Sequence, residues 1–338
     1  MNHRYISYSD SLEEKYGYRI YRVGVDAGFS CPNRHGQNRE GGCVYCDSQG
    51  ATASYLRTAE SSYASKSAFE EKIDLLTGNG NLKNIEEQIE RGRNFLQRRY
   101  KAEHFALYFQ AYSNTFAPIE KLKTIYDYAL GFYDWEQFII STRPDCIDEE
   151  KIKLIESYKT KNRNVAVELG LQSGDDKLLK AMNRGHDVAC FLKAASLVKE
   201  HGIDLCVHVL SGFPGEGKDE LEKTINVINS VHPYAIKIHN LNITAGTKLF
   251  EDYTNGLANA PCATRHIQSS IYLLRRIACD IVIERLICES PSHRLASPRV
   301  FPDKNNYIKM LDREMEKQDV RQGDLYSSYC CNQSFSPK

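Results

Sequence analysis

The runs Phe105–Phe109 (FALYF), Phe138–Thr142 (FIIST) and Val165–Leu171 (VAVELGL) decide the fold of this chain. Each is almost continuously apolar, as a strand covered on both faces must be. Working outward, strands are predicted near Tyr18–Asp26, His104–Gln110, Gln137–Thr142, Asn164–Leu171, Ile203–Leu210 and Tyr234–Leu241. The starts at 104, 137, 164, 203 and 234 are 33, 27, 39 and 31 residues apart, the scale of one strand–helix unit. Between them lie amphipathic helices: from Asp187 to His201, Val188, Leu192, Ala195 and Val198 fall on one face. This alternation predicts an α/β chain with a parallel sheet, either a barrel or an open doubly wound sheet.

Two stretches break the rhythm. Ser48 to Ser67 is rich in Ser, Ala, Thr and Tyr and reads as a mobile insertion. After Leu241 come a polar loop, a helix from Ala263 to Cys279, a strand at Ile281–Ile287 and a helix at Asn306–Gln318. The reading is an N-terminal segment (1–17), a catalytic core (18–245), a C-terminal α/β extension (246–323) and a flexible tail (324–338) with Cys330 and Cys331. A length of 338 residues with 41% hydrophobic and 26% charged residues suits one catalytic domain with short additions. No apolar run reaches the length of a membrane span and the first residues do not read as a signal peptide, so a cytoplasmic protein is expected. The 44 basic residues balance 44 acidic ones, which excludes a global field for nucleic acid. Locally, Pro261 to Arg313 holds nine basic side chains, Arg275 and Arg276 among them, against five acidic ones. That excess fits either an RNA-facing surface or a mixed solvated face.

The cysteines carry the chemistry. Eleven is an odd number in a long chain, unlike a secreted disulfide framework, and only one short-spaced cluster occurs. Residues 27–46 read AGFSCPNRHGQNREGGCVYC, placing Cys31, Cys43 and Cys46 on one loop directly after the first predicted strand. In a parallel α/β fold that loop emerges at the carboxyl edge of the sheet, where ligands bind. Gly41 and Gly42 permit a tight turn before the second thiol. Three thiolates leave one iron of an iron–sulfur cluster open for substrate. The same loop with His35 makes a Cys3His zinc site, and the loop alone leaves both readings open.

Further along the chain stand YFQAYSNT, STRPDC, ELGLQS, MNRGH, SGFPGE, IKIHNL, GTKL and LDREMEKQD. With VDAGFSCPNR at the loop, these motifs resemble the YhcC/YtqA-like radical S-adenosylmethionine (SAM) family, relatives of the radical SAM domain of the Elongator catalytic subunit. The likeness runs from about Tyr16 to Gly323, and the long first gap of C-x11-C-x2-C is that family's own. It implies a partial (β/α)6 barrel with a [4Fe–4S] cluster on Cys31, Cys43 and Cys46. It further implies SAM bound at the open iron and cleaved to a radical that abstracts hydrogen from a substrate. Gln110, Ser113 and Asn114 stand where relatives have a Gly-rich turn at the methionine end of SAM, although FQAYSN departs from that turn. Ser141 and Arg143 match ribose-side positions, and Glu168 and Gln172 share a strand face, with Gln172 near the ribose. Arg184 matches an arginine facing the SAM carboxylate, and His208 stands where several relatives carry an Asp near the ribose. Lys237 and His239 alternate on the sixth strand and are the substrate-side, catalytic candidates.

The resemblance implies a radical enzyme acting on tRNA at the wobble uridine, reduced by a flavodoxin or ferredoxin-type donor. No acetyltransferase domain is evident, so the whole Elongator reaction is not expected. Two alternatives remain at this stage: radical chemistry on a small molecule inside the barrel, and a non-catalytic zinc scaffold.

Overall fold

Alternate positions of the apolar runs meet two different environments. Leu107, Phe109, Phe138, Ile140, Val165 and Val167 enter the main apolar core with Ile85, Leu122, Ile152 and Phe191 of the flanking helices. Ala106, Tyr108 and Ile139 turn to the opposite face and form a separate small cluster. This alternation is visible in a computed structural model of the chain, which describes residues 3–35, 41–46, 80–290 and 293–326.

The strands are β1 (Tyr21–Val25), β2 (Phe105–Phe109), β3 (Gln137–Thr142), β4 (Asn164–Gln172), β5 (Asp204–Ser211), β6 (Ala235–Asn240), β7 (Ile243–Thr244), β8 (Val282–Arg285) and β9 (Leu295–Ser297). Seven make one sheet in the order β1-β2-β3-β4-β5-β6-β8, with every pair parallel. The sheet is curled: Arg22 on β1 donates to Glu284 on β8 at 2.5 Å, although β2 to β6 lie between them in the sheet order. The expected partial barrel is therefore present, and the strand predicted in the C-terminal extension joins it as a seventh. Asp148, Asp175 and Asp187 cap the helices Glu149–Ser157, Asp176–Ala181 and Val188–Glu200 by accepting from backbone N–H groups.

The N-terminal segment belongs to the barrel. Ser7 caps the helix Tyr8–Tyr16, which ends at Gly17 with φ of 79°. Ile283 N–H donates to Ile6 O at 2.8 Å and Ser7 bridges Ile283, covering the otherwise free edge of β8. Below the barrel, the Tyr8 hydroxyl donates to Gln137 at 2.9 Å while its ring lies under the Arg22 guanidinium. Sequence reading missed the long helix Gly80–Tyr100 and the antiparallel pair of β7 with β9. Residues 324–326 are tied down, Leu325 N–H to Arg275 O at 2.8 Å, where the sequence predicts a flexible tail. The stretch Ser48–Ser67 and the pair Cys330 and Cys331 lie outside the described residues.

Candidate functional site

The chain leaves β1 through a turn in which Gly28 N–H donates to Asp26 at 2.9 Å, while Gln88 clamps Asp26 N and O, both at 2.8 Å. The cysteine loop then rests on the MNRGH motif. Val44 N–H donates to Met182 O at 3.1 Å, Asn183 Nδ2 to Gly42 O at 2.8 Å, and Asn33 Nδ2 to Asn183 O at 2.5 Å. Gly41 and Gly42 take φ of 87° and 72°, the left-handed turn expected before the second thiol. Cys46 N–H donates to Cys43 O at 2.9 Å.

Polar donors converge on the sulfurs. Arg34 Nη2 lies 3.2 Å from Cys46 Sγ, Asn33 Nδ2 3.5 Å from Cys43 Sγ, and Arg184 Nη1 3.7 Å from Cys43 Sγ. Burial pushes the Cys43 thiol up, but the Arg184 guanidinium, with Arg143 behind it, more than offsets this and lowers its pKa. Burial prevails at Cys46, whose thiol stays above its ordinary value despite Arg34. A single tetrahedral zinc with Zn–S of about 2.3 Å needs sulfurs about 3.8 Å apart. Among the described residues, Cys31, Cys43 and Cys46 do not form a set whose sulfurs all lie within 4.8 Å of one another. The side chain of His35, the fourth zinc ligand of that reading, lies outside the described residues.

At the carboxyl end of β4, Arg184 and Gln172 meet over Gly170. A Cβ on Gly170 would lie 2.5 Å from Arg184 Nη2 and 2.6 Å from Gln172 Nε2, so a larger residue would push the ends of both side chains from these places. Gln172 itself takes φ of 70° beside a β-bulge, a strained backbone for a residue with a side chain. Arg184 is buried, donating from Nη2 to Gly170 O at 3.0 Å and from Nε to His186 at 2.9 Å. Arg143, read from sequence as a ribose-side group, forms a fork on Asp145 at 2.8 Å twice and donates to Arg184 O at 2.8 Å. It braces Arg184. Asn114, read as a methionine-side group, spends both amide protons on Phe109 O and Ser141 O at 3.0 and 2.8 Å, leaving a buried Oδ1 without a partner. It ties the end of β2 to Ser141 on β3. Ser113 N–H donates to Ser30 O at 3.2 Å and Gln110 N–H to Val25 O at 3.3 Å, so both stand beside the root of the cysteine loop.

Deeper in the barrel, Glu168 accepts on one oxygen from Arg22 and Lys237 at 3.0 and 2.6 Å, and on the other from Tyr108 and His208 at 2.6 and 2.9 Å. Glu284 completes the layer, 2.7 Å from Lys237. Burial would raise the Glu168 pKa, but Lys237 and Arg22 overcome it and hold the carboxyl well below its ordinary value. Burial pushes Lys237 down to about 7 and, with the Lys237 charge, His208 down to about 4. His208 is therefore a neutral imidazole whose Nε2 proton goes to Glu168. The ring of His239 lies 5.3 Å away, and its buried Nε2 has no partner. Glu168, Cys206 and His208 bring three donor atoms within 4.8 Å, but two cations already sit on Glu168, which argues against a metal ion there. Sequence reading missed Arg22, Tyr108 and Glu284; the signal was a polar or aromatic group at the inward positions of apolar strands.

Comparison with known proteins agrees with this geometry. Residues 35–228 match the Radical SAM superfamily and residues 233–317 the Radical_SAM C-terminal domain. YtqA of Bacillus subtilis is 26% identical over 96% of this chain and 93% of its own. A tRNA uridine(34) acetyltransferase of Methanocaldococcus infernus is 33% identical over 120 residues, 35% of this chain and 22% of that protein. The structure of an archaeal Elp3 from the same organism superposes with a TM-score of 0.62 at 20% identity, covering 70% of this chain and 59% of that one. Among the described residues, no helix is long and apolar enough to cross a membrane. The chain, similar to YtqA over nearly its whole length, belongs to the Radical SAM superfamily, whose enzymes work with a [4Fe–4S] cluster and SAM.

Proposed function

We propose that Cys31, Cys43 and Cys46 hold the cluster, and that the enzyme uses it to modify the wobble uridine of tRNA. One observation carries the cluster reading: a single loop at the carboxyl edge presents three thiols with arginine donors aimed at two of the sulfurs. When bound, cluster and SAM supply a hydrogen-abstracting radical. The remaining roles fall to this chain's own side chains. Of five guanidinium N–H groups, Arg184 spends three on Cys43, Gly170 and His186, which leaves two for the SAM carboxylate. Gln172 lies beside it, and Gln110, Ser113 and Ser141 line the same rim. Arg143 braces Arg184 and Asn114 ties β2 to β3, while two N–H groups of Arg143 and the Oδ1 of Asn114 stay open to SAM by the same count. Lys237 spends its three N–H groups on Glu168, Glu284 and Tyr108, so it works through Glu168, which orients His208. His239, with its bare Nε2, is the group left to touch substrate.

The tRNA reading draws on the printed activity of the uridine(34) acetyltransferase and on the Elp3-like fold. Arg275 and Arg276 lend it little: one pairs with Asp324 at 2.9 Å and the other with Glu222 at 3.1 Å. A flavodoxin or ferredoxin-type protein in the cytoplasm is the matching electron source. The test has two arms, modified nucleosides of a strain lacking the gene and SAM consumption by reduced enzyme with and without tRNA. An altered wobble uridine and tRNA-dependent consumption support the reading. An unchanged profile together with tRNA-independent turnover of a small molecule replaces it, and stoichiometric zinc without iron after anaerobic purification removes the radical reading altogether.

A further inference from the structure

Arg34 sits three residues after Cys31, in the short helix Pro32–His35, where its N–H donates to Cys31 O at 2.9 Å. Its side chain doubles back across the loop toward Cys46. Gly42 makes that path possible: a Cβ there would lie 2.9 Å from Arg34 Cγ. The guanidinium then donates from Nη2 to Cys46 O at 2.8 Å and approaches Cys46 Sγ at 3.2 Å. Its other flank faces the Tyr112 ring, 5.6 Å from the centroid, and Tyr112 holds a left-handed φ of 61°. Cation, ring and glycine together fix one positive charge against one thiol, and an arginine cannot give up that charge by losing a proton.

We propose that Arg34 is a positioning residue that raises the reduction potential of the cluster, resting on the reading that Cys46 is one of its ligands. Reduction adds one electron and leaves the site one unit more negative. A fixed cation donating to a ligand sulfur favours that more negative state, since net charge and hydrogen bonds to the sulfurs set such potentials. Because Tyr112 and Gly42 hold the guanidinium in place beforehand, little reorganisation accompanies the electron.

The test compares wild type, Arg34→Gln and Arg34→Lys, reconstituted anaerobically with iron and sulfide and titrated with dithionite as reductant. Iron and sulfide per chain are measured, and the midpoint is read by electron paramagnetic resonance. Arg34→Gln should keep its iron while the ratio of reduced to oxidised cluster at the wild-type midpoint falls about tenfold, a shift of about 59 mV for one electron. Arg34→Lys keeps the charge and should shift less. Full iron with a wild-type midpoint in Arg34→Gln overturns the proposal. Loss of iron from both variants with unchanged circular dichroism also overturns it, since Arg34 would then build the loop. A wild type that binds no cluster fails the ligand reading first, which separates the two failures.

Discussion

Two levels of the barrel interior use the same residue types in opposite ways. In the lower layer the central carboxylate and ammonium are fully answered, although the buried Nε of Arg22 has no partner: Glu168 accepts four times, and all three protons of Lys237 are placed on Glu168, Glu284 and Tyr108. At the rim above, three thiols gather, Arg184 keeps donors in reserve, and the buried Oδ1 of Asn114 has no partner. A closed polar network stiffens a fold, whereas an open one at the carboxyl edge of a parallel sheet is where a ligand completes the structure. The comparison divides labour between a floor that positions and a rim that binds.

The largest effects should come from the rim. Replacing Cys31, Cys43 or Cys46 with Ala should abolish the cluster's iron and its brown absorbance after anaerobic reconstitution. Replacing the buried Cys146 or Cys206 should leave iron content unchanged. Iron bound at wild-type level by any of the three rim variants would break the comparison at its strongest point.

The floor should register as stability. Removing one partner of a buried ion pair leaves the other charge uncompensated, at a cost of about 3–5 kcal/mol. Lys237→Met and Glu168→Gln should each lower the unfolding free energy by that order in urea titrations, and the double variant should lose less than the sum. Additive losses would mean that the two side chains do not act as one network.

Arg184 stands at the rim beside Cys43, so its substitution should sharpen the boundary. Arg184→Lys keeps a charge near Cys43 but gives up the fork that spans Gly170, His186 and the rim. Iron content should hold, while SAM affinity measured by equilibrium dialysis falls about tenfold or more, the weight of one charge-assisted contact. Wild-type SAM affinity in Arg184→Ala would take Arg184 out of the binding site.

How far the sequence foretold these levels follows from the range of the forces involved. Strand runs such as FALYF and VAVELGL announce themselves because outward positions fill a continuous apolar layer, and the cysteine loop does so because its ligands are close in sequence. The floor was half hidden: Glu168, His208 and Lys237 were picked out, but Arg22 and Glu284, 262 residues apart, meet only because the sheet curls. Arg143 and Asn114 were placed as ligand contacts because their position in a motif is local information. That they also brace the fold through Asp145, Arg184 O, Phe109 O and Ser141 O depends on tertiary packing. Arg34 was passed over because nothing in CPNR reveals that Gly42 clears its path to Cys46.

The smallest expected effect contrasts the buried carboxyl of Glu168 with the half-buried one of Glu216. Lys237 and Arg22 hold Glu168 ionised against its burial, whereas Glu216, in the turn after β5, has Gly212 N–H at 2.5 Å, a long contact from Ser211 at 3.5 Å and the charge of Arg265, which Glu220 opposes. Burial accordingly pushes Glu216 up to about 7, from an ordinary value of 4.5. A raised carboxyl pKa means that the folded state binds the proton more tightly than the unfolded one. Its stabilisation is full below pH 4.5 and is lost as pH rises to about 7. Glu168, with its lowered pKa, behaves oppositely: its contribution is full above the unfolded carboxyl pKa and is lost only in acid, while Lys237, pushed down to about 7, titrates alike in wild type and Glu216→Gln and cancels from their difference. Glu216→Gln cannot ionise, so its stability relative to wild type should rise by about 1–3 kcal/mol between pH 4.5 and pH 8, the upper figure applying without solvent screening at this half-buried side chain. Urea unfolding under anaerobic conditions at the two pH values measures that difference. A pH-independent gap between the two proteins would show that Glu216 is as well compensated as Glu168, and that the turn after β5 belongs with the closed floor instead of the open rim.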